Sequence, residues 1–303
     1  MTTFDFMGKR RIAAVASIVL VLVSIASVIF LGVNRGLDFT GGVRVEIGFG
    51  APVTAEDVRT VLNDAGLAEG VVQNFGSETD ILVRMPPVPG VDQSEVGDRI
   101  LAAVRSRFDD VALRNLEFVG PAVGEELTEQ GGLALLVALG VVMLYIMWRF
   151  TGKFAIGAVT ALVHDVVITV GAFSVFQWTF NLAELAALLA VIGYSLNDTI
   201  VVSDRIRENF RGIRRGTPHE IINQSLNQTL GRTLVTSLTT LLVLVVLLVV
   251  AGEQIAGFAT ALTIGVVVGT YSSIYVAANV LLTMGITKQD LALPEKEGVE
   301  DTP

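Results

Sequence analysis

Cysteine is absent from the 303 residues, and histidine occurs only as His164 and His219. These absences exclude a disulfide framework, a thiolate metal site and a cysteine nucleophile, and they leave little from which to build a histidine metal centre. Charge is scarce too. Lysine, arginine, aspartate and glutamate make up 17% of the chain against 52% hydrophobic residues, and a mean hydropathy of +0.65 is too apolar for an ordinary soluble enzyme. Neither a nucleotide-binding P-loop nor the Gly-x-Gly-Asp pairing or Ser/His dyad of an intramembrane protease is present. Lipid is therefore the solvent to expect for much of the chain. The net charge of −9 averages over segments of opposite sign, so placement matters more than sum.

What the chain has in abundance is long apolar runs. Six reach the ~18 residues that cross a ~30 Å hydrocarbon layer at ~1.5 Å per residue: 12–33, 131–150, 154–176, 183–204, 232–251 and 256–284. The first follows Lys9, Arg10 and Arg11 as a signal peptide would. Its apolar stretch is longer than a signal core and no A-x-A-like site follows, so a retained anchor is expected.

Between the first two runs, residues 34–130 change character. Val43 to Ile47 alternate with period two, and Thr54 with Glu56 and Asp57 offers a helix start. Strands are expected near 70–75 and 80–85. Pro86, Pro87, Pro89 and Gly90 then break the chain, and Asp92 to Glu95 open a second helix to about Phe108, before a last strand over 111–119. The order β-α-β-β-α-β is that of a ferredoxin-like α+β sandwich. The expected organisation is thus residues 1–11, a first span at 12–33, a soluble domain at 34–130, five further spans within 131–286 with an arginine-rich loop at 205–231, and an acidic tail at 287–303.

Lysine and arginine give the orientation, because positive loops stay in the cytoplasm. Lys9, Arg10 and Arg11, then Arg149 and Lys153, then Arg205, Arg207, Arg211, Arg214 and Arg215 all fall on one side, and the opposite loops at 177–182 and 251–255 carry none. Both termini are expected in the cytoplasm and the soluble domain, with 17 acidic and 8 basic residues, outside. In the arginine-rich segment Thr217-Pro218-His219-Glu220 offers a helix start, and a cytoplasmic helix on an anionic leaflet is expected there; no nucleic-acid partner is expected.

Charges inside the runs are the functional candidates, since each costs ~2.5–3.5 kcal/mol or more at the bilayer centre. Asp198 interrupts the fourth run within Gly193-Tyr194-Ser195-Leu196-Asn197-Asp198-Thr199. A carboxyl that alternates between a charged, hydrated form and a neutral, buried one can carry a proton; the alternative is a polar patch that merely joins helices. Arg232, at the start of the fifth run, can hold Asp198 ionised or can snorkel to headgroups. Thr236 and Thr240 follow it at i+4 and i+8 and can line a water path or bond back to their own helix. His164-Asp165 lies near mid-depth in the third run; for Asp165 structural pairing and a relay are equally open, and His164 is read as an interior hydrogen-bonding residue. Glu184 and Asp204 lie near the ends of the fourth run, within reach of water. Gly257, Ala261, Gly265 and Gly269 repeat at four-residue spacing, continued by Ser273 and Ala277, and predict close helix packing.

Three motifs resemble the SecF family: Gly36-Leu37-Asp38-Phe39-Thr40-Gly41-Gly42, Val119-Gly120-Pro121-Ala122-Val123-Gly124-Glu125-Glu126-Leu127, and Gly193 through Asn209 followed by Arg232-Thr233-Leu234-Val235-Thr236-Ser237. The resemblance covers nearly the whole chain and is weakest in the outer domain and after Lys288. It implies a polytopic inner-membrane protein with six transmembrane helices, half of a resistance-nodulation-division-like bundle, and a ferredoxin-like periplasmic domain. It further implies a SecD partner supplying the other half and a further aspartate, so that this chain alone is an incomplete proton pathway.

The implied activity is promotion of late preprotein translocation through SecYEG by the proton motive force, alongside SecA and YidC, on unfolded preprotein. It implies no enzyme chemistry, no catalytic residue, no metal and no cofactor beyond the coupling proton. The proton-conduction candidates are Asp198, Arg232, Asn197, Asp165 and Thr236. A proton-driven small-molecule or lipid exporter of the same fold, and a scaffold that transports nothing, are the rival expectations.

Overall fold

The computed structural model describes residues 4–88, 90–250, 252–287 and 290. The expected acidic tail, apart from Thr287 and Asp290, and Pro89 of the expected chain break lie outside the described residues. A short turn at Met7–Lys9 leads into α1 (Arg10–Phe30), and a one-turn helix, α2 (Leu37–Thr40), then brings the chain to the α+β domain.

That domain runs β1 (Gly42–Phe49), α3 (Ala55–Asp64), β2 (Val71–Phe75), β3 (Ser77–Met85), α4 (Gln93–Arg107) and β4 (Val111–Val119). The strands form one antiparallel sheet in the order β2-β3-β1-β4, the ferredoxin-like arrangement that the element order predicts. Period-two alternation puts Val43, Val45 and Ile47 on one face, where they bury completely against Val58 of α3 and Val96, Ile100 and Val104 of α4. Thr54 and Asp57 close a capping box that starts α3. Asp92 accepts the Ser94 amide at 2.9 Å and starts α4.

Gly41 and Gly42 join α2 to β1 with φ of 69° and 114°. Both angles suit glycine, and a side chain at Gly42 would meet the Met85 carbonyl. Pro121 then begins α5 (Pro121–Arg149), which the sequence reading divides between domain and span. Four long elements follow: α6 (Gly152–Phe176), α7 (Leu182–Gly212), α8 (Pro218–Val250) and α9 (Glu253–Ser272). The last is extended through a π-helical turn, Ser273–Ala277, and α10 (Ala278–Thr283). Among the described residues six helices are long and apolar enough to cross a membrane. The windows of α6, α7 and the last span are half buried, whereas α1, α5 and α8 expose most of theirs. An apolar helix surface left exposed belongs against lipid or a second bundle.

The stretch 205–231 is the end of α7 and the start of α8, joined over residues 213–217, and α8 begins at Pro218 as the Thr217-Pro218-His219-Glu220 pattern predicts. Polar helices need partners rather than apolarity, and these exist. Arg205 pairs with Glu208 and Arg207 with Asp204. Ile206 and Phe210 bury against Ile221 and Ile222, and Asn209 Nδ2 donates to Ser225 and Gln228, both at 2.8 Å.

Candidate functional site

The centre of the bundle is the seam between α7 and α9, which run parallel. The small residues of α9 meet α7 one turn at a time: Gly257 lies against Glu184, Gly265 against Val191 and Gly269 against Ser195. A Cβ on Gly265 would come 2.1 Å from Val191 Cγ2, so only glycine permits this approach. The same register brings Ser273 to Asp198.

Two carboxylates sit in this layer. Asp198 is 6% exposed and lies 16 residues, about 24 Å of rise, into α7. Its Oδ1 accepts Thr233 Oγ1 at 2.7 Å and its Oδ2 accepts Ser273 Oγ at 2.5 Å. Asp165 on α6 is fully buried. Its Oδ2 accepts Ser195 Oγ at 2.6 Å and Ser272 Oγ at 2.7 Å, while Oδ1 lies 2.9 Å from His164 Nδ1. Four helices thus supply one polar layer near mid-depth, whose hydrogen bonds offset part of the burial penalty. Ser273 opens the π-helical turn, a local widening often found at functional positions.

The remaining candidates are arranged differently. Arg232 lies mid-way along α8, because that helix starts 14 residues before it, and it is exposed. It forms no ion pair among the described residues. Asn197 is exposed on the outer surface of α7. Thr236 donates back to the carbonyls of Arg232 and Thr233, and Thr240 to that of Thr236, the back-bonding arrangement of helix threonines. Glu184, expected near water, is 4% exposed; its Oε2 accepts the Asn181 amide at 2.6 Å as part of the cap on α7. Asp204 remains half exposed beside Arg207 and Arg149.

Thr233, Ser195, Ser272 and Ser273 hold the two carboxylates, and none of them carries a charge that would single it out in sequence. Ser273 reads there as one more small residue in the packing row. The available signal is a hydroxyl at a position where the row otherwise uses glycine or alanine.

The soluble domain meets the bundle above this layer. Gly36 and Phe180 exchange backbone bonds with their neighbours across the junction, Leu182 donates to Asp38 at 2.9 Å, and Arg84 Nη1 donates to Thr179 at 3.2 Å. Between the open sheet face and the helix ends lies a cavity of about 580 Å³ lined by Arg44, Arg84, Glu117, Trp178 and Glu184 among others.

Comparison with known proteins supplies the family. Residues 99–287 match the model of the protein export membrane protein SecD/SecF C-terminal family, and residues 26–53, which contain Gly41-Gly42, match the SecD/SecF GG motif. The protein translocase subunit SecF of Vibrio alginolyticus is 50% identical, with 98% of this chain and 96% of the relative covered; that of Pseudomonas aeruginosa is 46% identical, covering 99% and 98%. The crystal structure of SecDF, a translocon-associated membrane protein from Thermus thermophilus, superposes with a TM-score of 0.84 at 38% identity. It covers 93% of this chain, which spans 39% of the SecDF chain. A six-helix bundle with a ferredoxin-like domain, matching a multi-pass inner-membrane protein along nearly its whole length, places this chain within the SecD/SecF family of protein-export membrane proteins, on its SecF side.

Proposed function

We propose that this chain, paired with a SecD-like partner, uses the proton motive force to promote late preprotein translocation through the SecYEG channel, with Asp198 as the residue that takes up and releases the proton. In this reading both termini lie in the cytoplasm and residues 34–130 in the periplasm, as the arginine distribution suggests. SecA and YidC are expected neighbours and unfolded preprotein the cargo. No covalent bond in the cargo changes.

The observation that carries the reading is the double provision made for Asp198. When the carboxyl is ionised, Ser273 donates to Oδ2 at 2.5 Å; when it is protonated, the acid can donate to Ser273 Oγ, and the serine hydrogen has a second acceptor in the Thr270 carbonyl at 3.0 Å. Both protonation states are therefore hydrogen-bonded, whereas a buried carboxyl built only to join helices needs one. A proton crossing 100 mV releases about 2.3 kcal/mol, enough to shift a two-state equilibrium more than tenfold.

The exposed surface near Arg232 and Asn197 supports the partner. Arg232 adjoins Thr233, which bonds Asp198, so its backbone lies beside the polar layer, and the residue is exposed. A lipid contact there is costly, and a second bundle carrying an acidic group is not. The test is gradient-dependent preprotein export in vesicles containing the SecD partner, wild type against Asp198→Asn at matched expression. Loss of the gradient-driven component with assembly intact supports the proposal. Unchanged export would rule out Asp198 as the coupling residue and leave the chain as a scaffold.

A further inference from the structure

His164 has chemistry that the Asp198 site does not use. The ring is 6% exposed, its Nδ1 faces Asp165 Oδ1 at 2.9 Å, and its Nε2 is buried with no hydrogen-bond partner among the described residues. Asp165 takes two hydroxyls on Oδ2, which leaves Oδ1 to accept the Nδ1–H. The opposite tautomer would set two acceptors against each other and strand a buried N–H, losing on both counts. The stable neutral form thus presents an unshared lone pair at Nε2. A carboxylate behind Nδ1–H stabilises the cation that forms when such a nitrogen is protonated.

A row of aromatic rings connects His164 to the segment before α1. His164 stacks on Tyr271 with ring centroids 6.1 Å apart, Tyr271 lies 5.3 Å from Tyr275, and Tyr275 lies 6.1 Å from Phe6 in the segment before α1. The Tyr271 hydroxyl donates to the Ala13 carbonyl at 2.7 Å and takes the Ser17 hydroxyl at 3.0 Å. Ala13 is three residues, about 4.5 Å of rise, inside α1. The titratable groups facing the ring are Asp165 on its own helix, Tyr271 on α9 with Tyr275 and Asp5 beyond it, and Asp198 of α7 behind Ser272 and Ser273; α1 contributes the Ser17 hydroxyl.

We infer that His164 is a second proton-holding site, with Asp165 as its counter-ion, between the polar layer and the N-terminal end of the bundle. A proton adds to the Nε2 lone pair, forming one N–H bond and taking the His164–Asp165 pair from −1 to neutral. The same bond breaks when the proton passes to a water molecule. The inference deepens the proton-coupled reading and rests on it for the route.

The experiment is nitrogen NMR on this chain labelled at histidine and assembled with unlabelled partner, using the difference from His164→Phe to separate His164 from His219. The expected wild-type signal is an Nδ1–H tautomer near pH 8 that becomes imidazolium on acidification, with proton affinity at least tenfold lower in Asp165→Asn. An Nε2–H tautomer, a ring still neutral at pH 5, or a midpoint unmoved in Asp165→Asn overturns the inference. In vesicles, His164→Gln should reduce gradient-driven export at least tenfold and leave the ATP-driven step alone; unchanged export also overturns it. If Asp198→Asn exports normally while His164→Gln does not, the Asp198 reading fails and the His164 site stands.

Discussion

Ser272 and Ser273 are consecutive residues that bond different carboxylates, Ser272 to Asp165 at 2.7 Å and Ser273 to Asp198 at 2.5 Å. Neighbours on a helix point about 100° apart, so α9 acts as a divider with one acid on each side. Each serine also has a carbonyl of its own helix within reach, Gly269 for Ser272 and Thr270 for Ser273. Replacing either by alanine removes a donor from a buried carboxylate and should lower stability by about 1–3 kcal/mol. Because both residues lie where the helix enters its π turn, the double variant should depart from additivity by more than ~0.5 kcal/mol. Unfolding in detergent, read for the two single variants and the double, checks both statements.

Gly265 offers a sharper steric test. Val191 stands where its side chain would go, and the contact involves a β-branched residue on a packed helix, which has little freedom to retreat. Gly265→Ala should destabilise the bundle by about 1–3 kcal/mol despite the better helix propensity of alanine. Gly231, on α8, has open space around its Cβ position, and Gly231→Ala should gain up to ~1 kcal/mol. Opposite signs in thermal unfolding of the two variants would establish that the α7–α9 seam limits stability.

These seams explain how much of the molecule was legible beforehand. Apolar runs and period-two alternation are local, so six spans and the β-α-β-β-α-β domain can be read directly. Asp198 and Asp165 stand out because a carboxylate in an apolar run has no cheap explanation. Their partners do not, because Ser273 is 75 residues from Asp198 and Ser272 is 107 from Asp165, and nothing in a single sequence pairs hydroxyls across helices. In the arginine-rich stretch after Asp204 charge sets the expected end of the fourth span, whereas α7 runs on to Gly212 and packs on α8 through contacts such as Asn209 to Ser225. Glu184, near a helix end, is only 4% exposed because Gly257 lets another helix cover it, and it borders the cavity beneath the sheet.

Asp92 gives the soluble domain a defined pH response. Its carboxylate accepts the amide and then the hydroxyl of Ser94, which together hold it below the usual carboxylate range. A carboxyl depressed on folding stabilises the folded state in full above its unfolded value near ~3.9, and that contribution is lost as pH falls through the lower folded value. Hydrogen exchange in the first turn of α4, corrected for intrinsic rates, should be faster in Asp92→Ala than in wild type at pH 6. The difference should shrink toward zero at pH 2. A difference that persisted there would mean that something other than the ionised cap holds α4.

The exposed polar surface of α7 and α8 leads to the prediction that bears most directly on assembly. Asn197 and Arg232 are both exposed, and each adjoins one partner of the Asp198–Thr233 hydrogen bond. Between Leu133 and Leu144 the exposed surface of α5, with Leu136 and Val137, is apolar and suits lipid. Because the chain has no cysteine, single cysteines can be introduced without removing any. Asn197→Cys should cross-link to cysteines placed along the spans of a SecD-like partner and should be protected from membrane-permeant thiol reagents only while that partner is bound. Leu136→Cys should do neither. If the two positions behave alike, the Asn197 surface faces lipid, and Arg232 would have to be neutralised by headgroups rather than by a second bundle. That outcome would remove the partner from the account of Asp198, because the carboxylate would then have no acidic neighbour across the interface to which its proton could pass.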